Sequence, residues 1–368
     1  MGLAEHLRLR HATGVSSEKW RWGRIIVLHG AMTVESLGQR ALDRLDAAMD
    51  ALVVPGYSRI GYALRKRGWS NVSDAPLSGQ VAVVTGHTSG IGFAAAQSLR
   101  SLGADLFLVG RDAKRASDAA DAIRSAAGIG TVTSFVADMG EPAQIRKLAE
   151  EIRSRSSSVN VLVHNAGALL KTRLRNSFGN DVTLAVHVYG PHLLTNLLIE
   201  PLRESNGRVI TVASGGMYAV GISDFSKVGG SSRDPLELAD DRYDGTKQYA
   251  IAKRVQVTLN EMWAERPEVK GIMFQAMHPG WVDTPGVANS IPLFRAVTKP
   301  ILRSAEQGAD TVAWLASADG SALGNGGFWC DRSRRPIHRL SATRRTDTPA
   351  ARQALWAQVE SRAVGSAS

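Results

Sequence analysis

The sequence predicts an α/β protein: a doubly wound parallel sheet of about seven strands with a helical N-terminal extension. Two observations predict it. From residue 79 onward, short β-branched apolar runs alternate with longer Ala-rich stretches, the rhythm of strands joined by crossover helices. Nearly every apolar run also closes on Gly, Asn, Ser or Asp, and ligands of such sheets bind beyond the carboxyl ends of the strands.

Strands are expected at 81–85, 105–109, 132–137, 159–164, 208–213 and 271–278, with a last one around 326–331. Helices are expected at 91–102, 113–127, 143–155, 181–203 and 249–266. The first strand, Val81-Ala-Val-Val-Thr85, enters Gly86-His-Thr-Ser-Gly90-Ile-Gly92 and then an Ala-rich stretch. That reads as strand, tight turn, helix. Missing side chains at Gly86, Gly90 and Gly92 let the backbone turn sharply and approach a pyrophosphate, while the helix N-terminus presents N–H groups to it. A tight turn without a ligand has the same appearance, so other residues must decide.

The 368 residues carry a formal net charge of +10 and are 44% hydrophobic, enough for one sizeable core. The single Cys330 excludes an internal disulfide and points to a reducing, cytoplasmic setting. No apolar run approaches the ~20 residues of a membrane span, and the N-terminus lacks a secretory pattern. Basic residues crowd Arg59, Arg65, Lys66 and Arg67, and again Arg332, Arg334, Arg335, Arg339, Arg344 and Arg345. They read either as an anionic contact or as solvated ends. Without interleaved aromatics the second is favoured, and no specific nucleic-acid partner is expected.

Three regions follow: an extension over 1–75, the sheet domain over 76–338 and a loose basic tail over 339–368. In the extension, a helix is expected at 34–53, broken by Pro55-Gly56. The amphipathic stretch 57–69 suits a cover over the core or a peripheral membrane contact. Met32 offers a second start position.

Tyr249 and Lys253 are spaced i, i+4 and share a helix face. A phenol ionises near pH ~10, and a neighbouring ammonium favours the phenolate, which suits an acid/base working on a carbonyl. Ser214 closes the strand beside them and can hold the same oxygen. Tyr243 and Lys247 repeat the spacing, but Gly245 argues against a helix there. Tyr243 is left as a loop aromatic at the substrate mouth. At the end of the second strand stands Arg111, where NAD-binding sheets carry an acid. A guanidinium pairs a 2′-phosphate, which favours NADP(H) with NAD second. Met217, Tyr218, Trp281 and 291–294 supply apolar surface for a hydrophobic substrate. The histidines, among them His164, His187, His192, His278 and His338, show no metal-ligand spacing.

Thr85-Gly-x-x-x-Gly90-x-Gly92, Asn165-Ala-Gly167, Ser214, Tyr249-x-x-x-Lys253 and Pro279-Gly280 resemble, in order and spacing over 78–335, the short-chain dehydrogenase/reductase family. Residues 243–254 together with Ser214-Gly-Gly-Met217 and Gly280-Trp-Val-Asp-Thr-Pro285 resemble its retinol-dehydrogenase-like branch. The resemblance implies a Rossmann-like fold, NAD(P)-dependent interconversion of alcohol and carbonyl, and catalysis by Ser214, Tyr249 and Lys253. Tyr249 and Lys253 would also touch the nicotinamide ribose. Gly86, His87, Ser89, Gly90, Ile91 and Gly92 would cradle the diphosphate. Asp138 and Met139 would meet the adenine, and Asn165, Ala166 and Gly167 its ribose. Pro279, Gly280, Val282 and Thr284 would flank nicotinamide and diphosphate.

One position departs from the pattern. His187 stands in Leu184-Ala-Val-His-Val-Tyr-Gly190 where the family usually carries Asn, which holds a water in a proton relay. Either the imidazole continues the relay, or it is inert packing in a weakened enzyme. The second option leads to an alternative function, a nucleotide-binding scaffold or sensor. Residues 221–244 read as an inserted loop near the site. By resemblance, copies would pair as a homodimer or homotetramer through the helices that carry His187 and Tyr249.

Overall fold

The structure is a computed structural model that describes residues 46, 49, 50, 52–69, 76–222, 234–290 and 292–364. Most of the helix expected at 34–53, the second start at Met32, the middle of the 221–244 loop and Ile291 lie outside these residues.

In chain order the elements are α1 (Val53–Tyr57), α2 (Arg59–Lys66), β1 (Val81–Thr85), α3 (Gly90–Ser101), β2 (Asp105–Gly110), α4 (Ala113–Ser125), β3 (Val132–Val136), α5 (Pro142–Arg155) and β4 (Val161–His164). A short turn at Val182–Leu184 and a π turn at Ala185–Tyr189 lead into α6 (Gly190–Leu197), α7 (Ile199–Glu204) and β5 (Arg208–Val212). Then come α8 (Gly245–Ala264), β6 (Met273–Met277), α9 (Pro285–Ser290), α10 (Pro292–Thr298), α11 (Ala305–Ser317), α12 (Gly320–Leu323), β7 (Gly327–Cys330) and β8 (Ser333–Arg334). The chain closes with α13 (Ser341–Arg345) and α14 (Pro349–Val364).

The sheet order is β3-β2-β1-β4-β5-β6-β7-β8. The first seven strands pair in parallel, and the two-residue β8 adds antiparallel to β7. Helices on both faces bury the central strands on both sides, which is why they read as continuous apolar runs. The chain winds outward from β1 to β3 and then returns to place β4 beside β1. The switch point therefore lies between β1 and β4, where such sheets bind ligands.

Each face has its own core. Ala94, Ala95, Ala96 and Leu99 of α3 meet Ala309, Val312 and Leu315 of α11 on one side. On the other, Ile145, Leu148 and Ile152 of α5 share a cluster with Leu193 and Leu194 of α6 and Val255 and Leu259 of α8.

The tail differs from the expected loose segment. Leu355, Val359 and Ala363 of α14 belong to the second core and are buried. They recur every four residues and form one apolar stripe, which the Ala- and Arg-rich composition concealed. Trp356 packs edge-on against His192 and Trp263. α14 thus covers α6, the π turn and α8, the helix face through which pairing was expected. The basic ends are also tied down. Arg332 pairs with Asp310 at 2.8 Å, and Arg339 with Asp50 at 2.6 Å.

Pro55-Gly56 lies inside α1 and does not end a helix. Gly56 is required by a close approach: a Cβ there would stand 2.2 Å from the Met49 carbonyl oxygen. Residues 56–58 are then anchored by a buried Arg303. Its guanidinium donates to the carbonyls of Gly56, Ser58 and Pro279 and to both oxygens of Asp331. Arg65 adds a second buried guanidinium on Asp331 at 2.6 Å, and Trp281 N–H donates to the Tyr57 carbonyl.

Two helices also differ from expectation. The stretch 181–203 is interrupted by the π turn and again at Leu198. α8 starts four residues early, at Gly245, where Asp244 accepts from Lys247 N–H at 2.9 Å. Gly245 is there because a Cβ would lie 1.7 Å from the Leu170 carbonyl oxygen.

Truncating the buried Leu355 to Ala is expected to cost about 3 kcal/mol in urea unfolding. Leu340→Ala, at a side chain 53% exposed, is expected to change stability by no more than about 0.5 kcal/mol.

Candidate active site

The turn after β1 is built on its glycines. Gly86 and Gly90 take φ of +74° and +58°, a region that favours glycine. Gly92 has no room: a Cβ would stand 2.2 Å from Asn165 Nδ2. Asn165 staples the turn to the end of β4, its amide donating to the carbonyls of Thr85 and Gly86 at 3.0 and 3.1 Å. Thr85 Oγ1 accepts from the N–H groups of Asn165 and Ala166, both at 3.1 Å. Ser89 precedes α3 without capping it, so its hydroxyl leaves the amides of the first turn to a ligand. Ile91 is half-buried behind them.

Arg111 is exposed just after β2. The neighbouring Asp112 is engaged as a cap, accepting from Arg115 N–H at 2.8 Å. Asp138 follows β3 and accepts from Gly140 N–H at 2.8 Å, while Met139 is buried beneath. On the far side, Gly280 has φ +75°, Val282 is buried, and the Thr284 methyl would touch a Cβ at Gly90 at 3.2 Å. The loop after β6 therefore closes against the glycine turn.

His87 differs from its expected place along a ligand. Its ring is fully buried with Nε2 3.1 Å from the Ala116 carbonyl oxygen. It supports the turn from beneath and leaves only backbone to a phosphate.

Ser214, Tyr249 and Lys253 converge where β5 ends. Ser214 lies close enough to the Tyr249 phenol to favour its ionised form, and its hydroxyl accepts from Gly216 N–H at 3.2 Å. Lys253 Nζ lies 5.4 Å from the Tyr249 ring centroid and donates to the Val212 carbonyl at 2.8 Å. Burial dominates both. It pulls the ammonium down to about 7 and pushes the phenol up to about 12, against the effect of Ser214. The expected lowering of Tyr249 by Lys253 is not present: loss of water outweighs the neighbouring cation.

His187 sits in the middle of the π turn, edge-on to Tyr249 at 5.2 Å. Its Nε2 is 3.0 Å from the Ala168 carbonyl oxygen. Gly167 is needed beside it, because a Cβ would stand 2.5 Å from His187 Cε1. Burial and the charge of Lys253 hold the ring well below its ordinary pKa. Sequence reasoning missed Gln256, whose amide donates to the His187 carbonyl at 2.8 Å. Its position seven residues after Tyr249 on α8 is the only signal it gave.

Several expected wall residues have other places. Met217 and Tyr218 are buried in a small core with Tyr57 and Phe328. Tyr243 is half-buried beneath the Arg173 guanidinium, 4.6 Å from its ring centre. Trp281 remains partly open. Among the described residues no helix is long and apolar enough to cross a membrane, and no three His, Cys, Asp or Glu side chains gather as a metal site.

This arrangement defines an NAD(P)-binding oxidoreductase, and the chain belongs to the short-chain dehydrogenase/reductase family. Residues 80–223 match the short chain dehydrogenase family. The chain is 36% identical over 302 residues to dehydrogenase/reductase SDR family member 12 of Bos taurus, covering 81% of this chain and 91% of the relative. It is 28% identical over 265 residues to retinol dehydrogenase 12 of Homo sapiens, covering 71% and 81% respectively. In fold it is similar to the RhlG/NADP active-site complex of Pseudomonas aeruginosa, with TM-score 0.54, 23% identity, and coverage of 68% and 94%.

The buried histidines set the response to acid. His164 is held at about 3, and His187 and His278 well below 6.5. All three are neutral in the fold, whereas the unfolded chain protonates them below pH ~6.5. Their favourable contribution is complete above that pH and is lost as pH falls. Each costs about 1.4 kcal/mol per pH unit once the unfolded imidazole is charged. Thermal unfolding between pH 7.5 and 5 is expected to show a falling stability, and His278→Phe to reduce the slope by about one proton.

Proposed function

We propose that this protein is an NADP(H)-dependent oxidoreductase interconverting alcohol and carbonyl on a hydrophobic small molecule. The observation that carries the reading is the meeting of Ser214, Tyr249 and Lys253 at the strand ends beside the glycine turn. The turn suits a dinucleotide: its glycines let the backbone pack tightly against the end of β4 and the loop after β6, and the start of α3 is left uncapped by Ser89 beside it. When bound, the nicotinamide supplies or takes up the hydride.

The chain's own residues do the rest. Ser214 holds the substrate oxygen next to the phenol. Tyr249 gives that oxygen its proton in reduction and takes it back in oxidation. A phenol held near 12 stays protonated at neutral pH and serves first as an acid. Lys253 orients the cofactor ribose and, as a cation, steadies the phenolate left behind. Asn165, Ala166 and Gly167 line the adenosine half, with Asp138 and Met139 at the adenine. Pro279, Gly280, Val282 and Thr284 close over the nicotinamide side.

Arg111 supports the choice of NADP(H). It is exposed at the end of β2, and the adjacent carboxylate, Asp112, is committed to a helix cap. The apolar substrate class rests on the partly open Trp281 and on the retinol dehydrogenase relative. We place the protein in the cytoplasm on its single thiol, Cys330, which is buried and pushed up to about 12. A homodimer or homotetramer would use a face other than the one α14 covers.

Fluorescence titration is expected to show NADPH binding more tightly than NADH. Arg111→Glu should weaken NADPH about tenfold to a hundredfold and leave NADH nearly unchanged. Tighter NADH binding by the native chain would overturn the cofactor choice. Against a panel of apolar ketones, Tyr249→Phe is expected to lower kcat by roughly 10²–10⁴ while NADPH still binds. Turnover that survives the change would remove Tyr249 from its role.

A further inference from the structure

Two neighbouring strand ends carry the substrate side of the site. Just past β5 come Ala213, Ser214 and Gly215, and just past β6 come His278, Pro279, Gly280 and Trp281. The side chain packed between them comes from outside the sheet domain. Tyr57 ends α1 and is only 4% exposed. Its ring centre lies 4.6 Å from that of His278 and 6.4 Å from that of Trp281, edge-on to the latter. It shares a small core with Ala213 and Met217, on either side of Ser214, and with Val257, one helical turn beyond Lys253.

Both loops are shaped to admit this residue. A Cβ at Gly215 would stand 2.6 Å from Tyr57 Cε2, and one at Gly280 would stand 2.6 Å from the Tyr57 carbonyl oxygen. The same carbonyl accepts from Trp281 N–H at 2.8 Å. The segment is locked from its other side. Arg65 and Arg303 both donate to the Gly56 carbonyl, at 2.7 and 3.1 Å, and both pair with Asp331 at 2.6 Å. Charge-assisted bonds of this kind fix geometry as well as adding energy. The Tyr57 hydroxyl takes no part: it is buried and finds no partner among the described residues. What Tyr57 supplies is its ring and its carbonyl.

We infer that Tyr57 is a positioning residue of the active site, holding the loop that bears Ser214 and the loop that bears Trp281 at a fixed spacing. This rests on the proposed carbonyl chemistry, in which Ser214 holds the substrate oxygen and the loop after β6 flanks the nicotinamide. Tyr57 acts through Gly215, Gly280 and Trp281. If the two loops drift apart, the oxygen leaves its place beside the phenol while the cofactor keeps its own. A misplacement of about 1 Å costs on the order of a hundredfold in rate. Residues 56–58 therefore belong to the working enzyme, and the N-terminal extension reaches into the site.

Full-length Tyr57→Ala and Tyr57→Phe test this. Ile123→Ala, which truncates a fully buried side chain on α4, controls for lost stability alone. All are assayed where circular dichroism shows them folded, and Tyr57→Leu replaces Tyr57→Ala if the latter does not fold. With NADPH and acetophenone, Tyr57→Ala is expected to lower kcat about tenfold to a hundredfold. Tyr57→Phe keeps the ring and the carbonyl and should stay within about twofold of the native chain, as should Ile123→Ala. A native kcat in Tyr57→Ala, or an equal loss in either of the other two, overturns the inference. Hydrogen exchange read by mass spectrometry needs no turnover. In Tyr57→Ala, peptides covering 214–219 and 280–284 are expected to exchange about tenfold faster, with those covering 105–110 unchanged. Unchanged exchange in the first two also overturns it. If the native chain reduces no carbonyl, the function proposed above fails, while the exchange rates still decide whether Tyr57 holds the two loops.

Discussion

Backbone meets backbone where the turn after β1 touches the end of β4, and the strand-end chemistry is hung on that contact. Thr85 Oγ1 accepts from two amides just beyond the neighbouring strand, and the Asn165 amide donates to the carbonyls of Thr85 and Gly86. No side chain fits between them at Gly86 or Gly92. The fit then propagates: two residues beyond Asn165, Gly167 leaves the space for His187, and His187 flanks Tyr249. A ligand cradle and a proton donor are thereby held at a fixed spacing by contacts that tolerate almost no added volume.

The buried cations are treated in opposite ways. Arg303 receives a bidentate carboxylate and three carbonyls, the full set its planar fork can use. It is a fixed fastener between residues 56–58 and the loop after β6. Lys253 receives one carbonyl, with a phenol ring nearby, and its ammonium is pulled down to about 7. One cation is satisfied and inert, and the other is poised to change charge near neutrality. The difference between structure and chemistry here is the number of partners each charge is given.

The parts legible in sequence were the local ones. Strand-turn-helix at Val81 to Gly92 is written in adjacent residues, and the spacing of Tyr249 and Lys253 needs only a helix. Arg111 shows because its neighbours are themselves a strand end. The π turn at Ala185–Tyr189 left no trace, since its residues are ordinary helix formers and the bulge arises from packing. The same holds for the Arg65–Asp331 pair, whose members are far apart in the chain. Gly245 and Gly56 were misread for one reason. Each is glycine to admit a distant carbonyl, and sequence shows the missing side chain without the atom that excludes it. The helical tail was hidden because its three buried residues are diluted by Ala and Arg.

α14 gives the helix pair beneath it an intramolecular lid. The face of α6, the π turn and α8 is shielded by the chain's own end, held at its start by Asp347 against Arg254 and Arg352. Such shielding has no second-order association step. Dilution cannot strip it, and the apolar stripe and the π turn stay covered at any protein concentration. The exchange for that independence is kinetic: the lid opens by local unfolding of one terminal helix, a smaller event than separating two subunits.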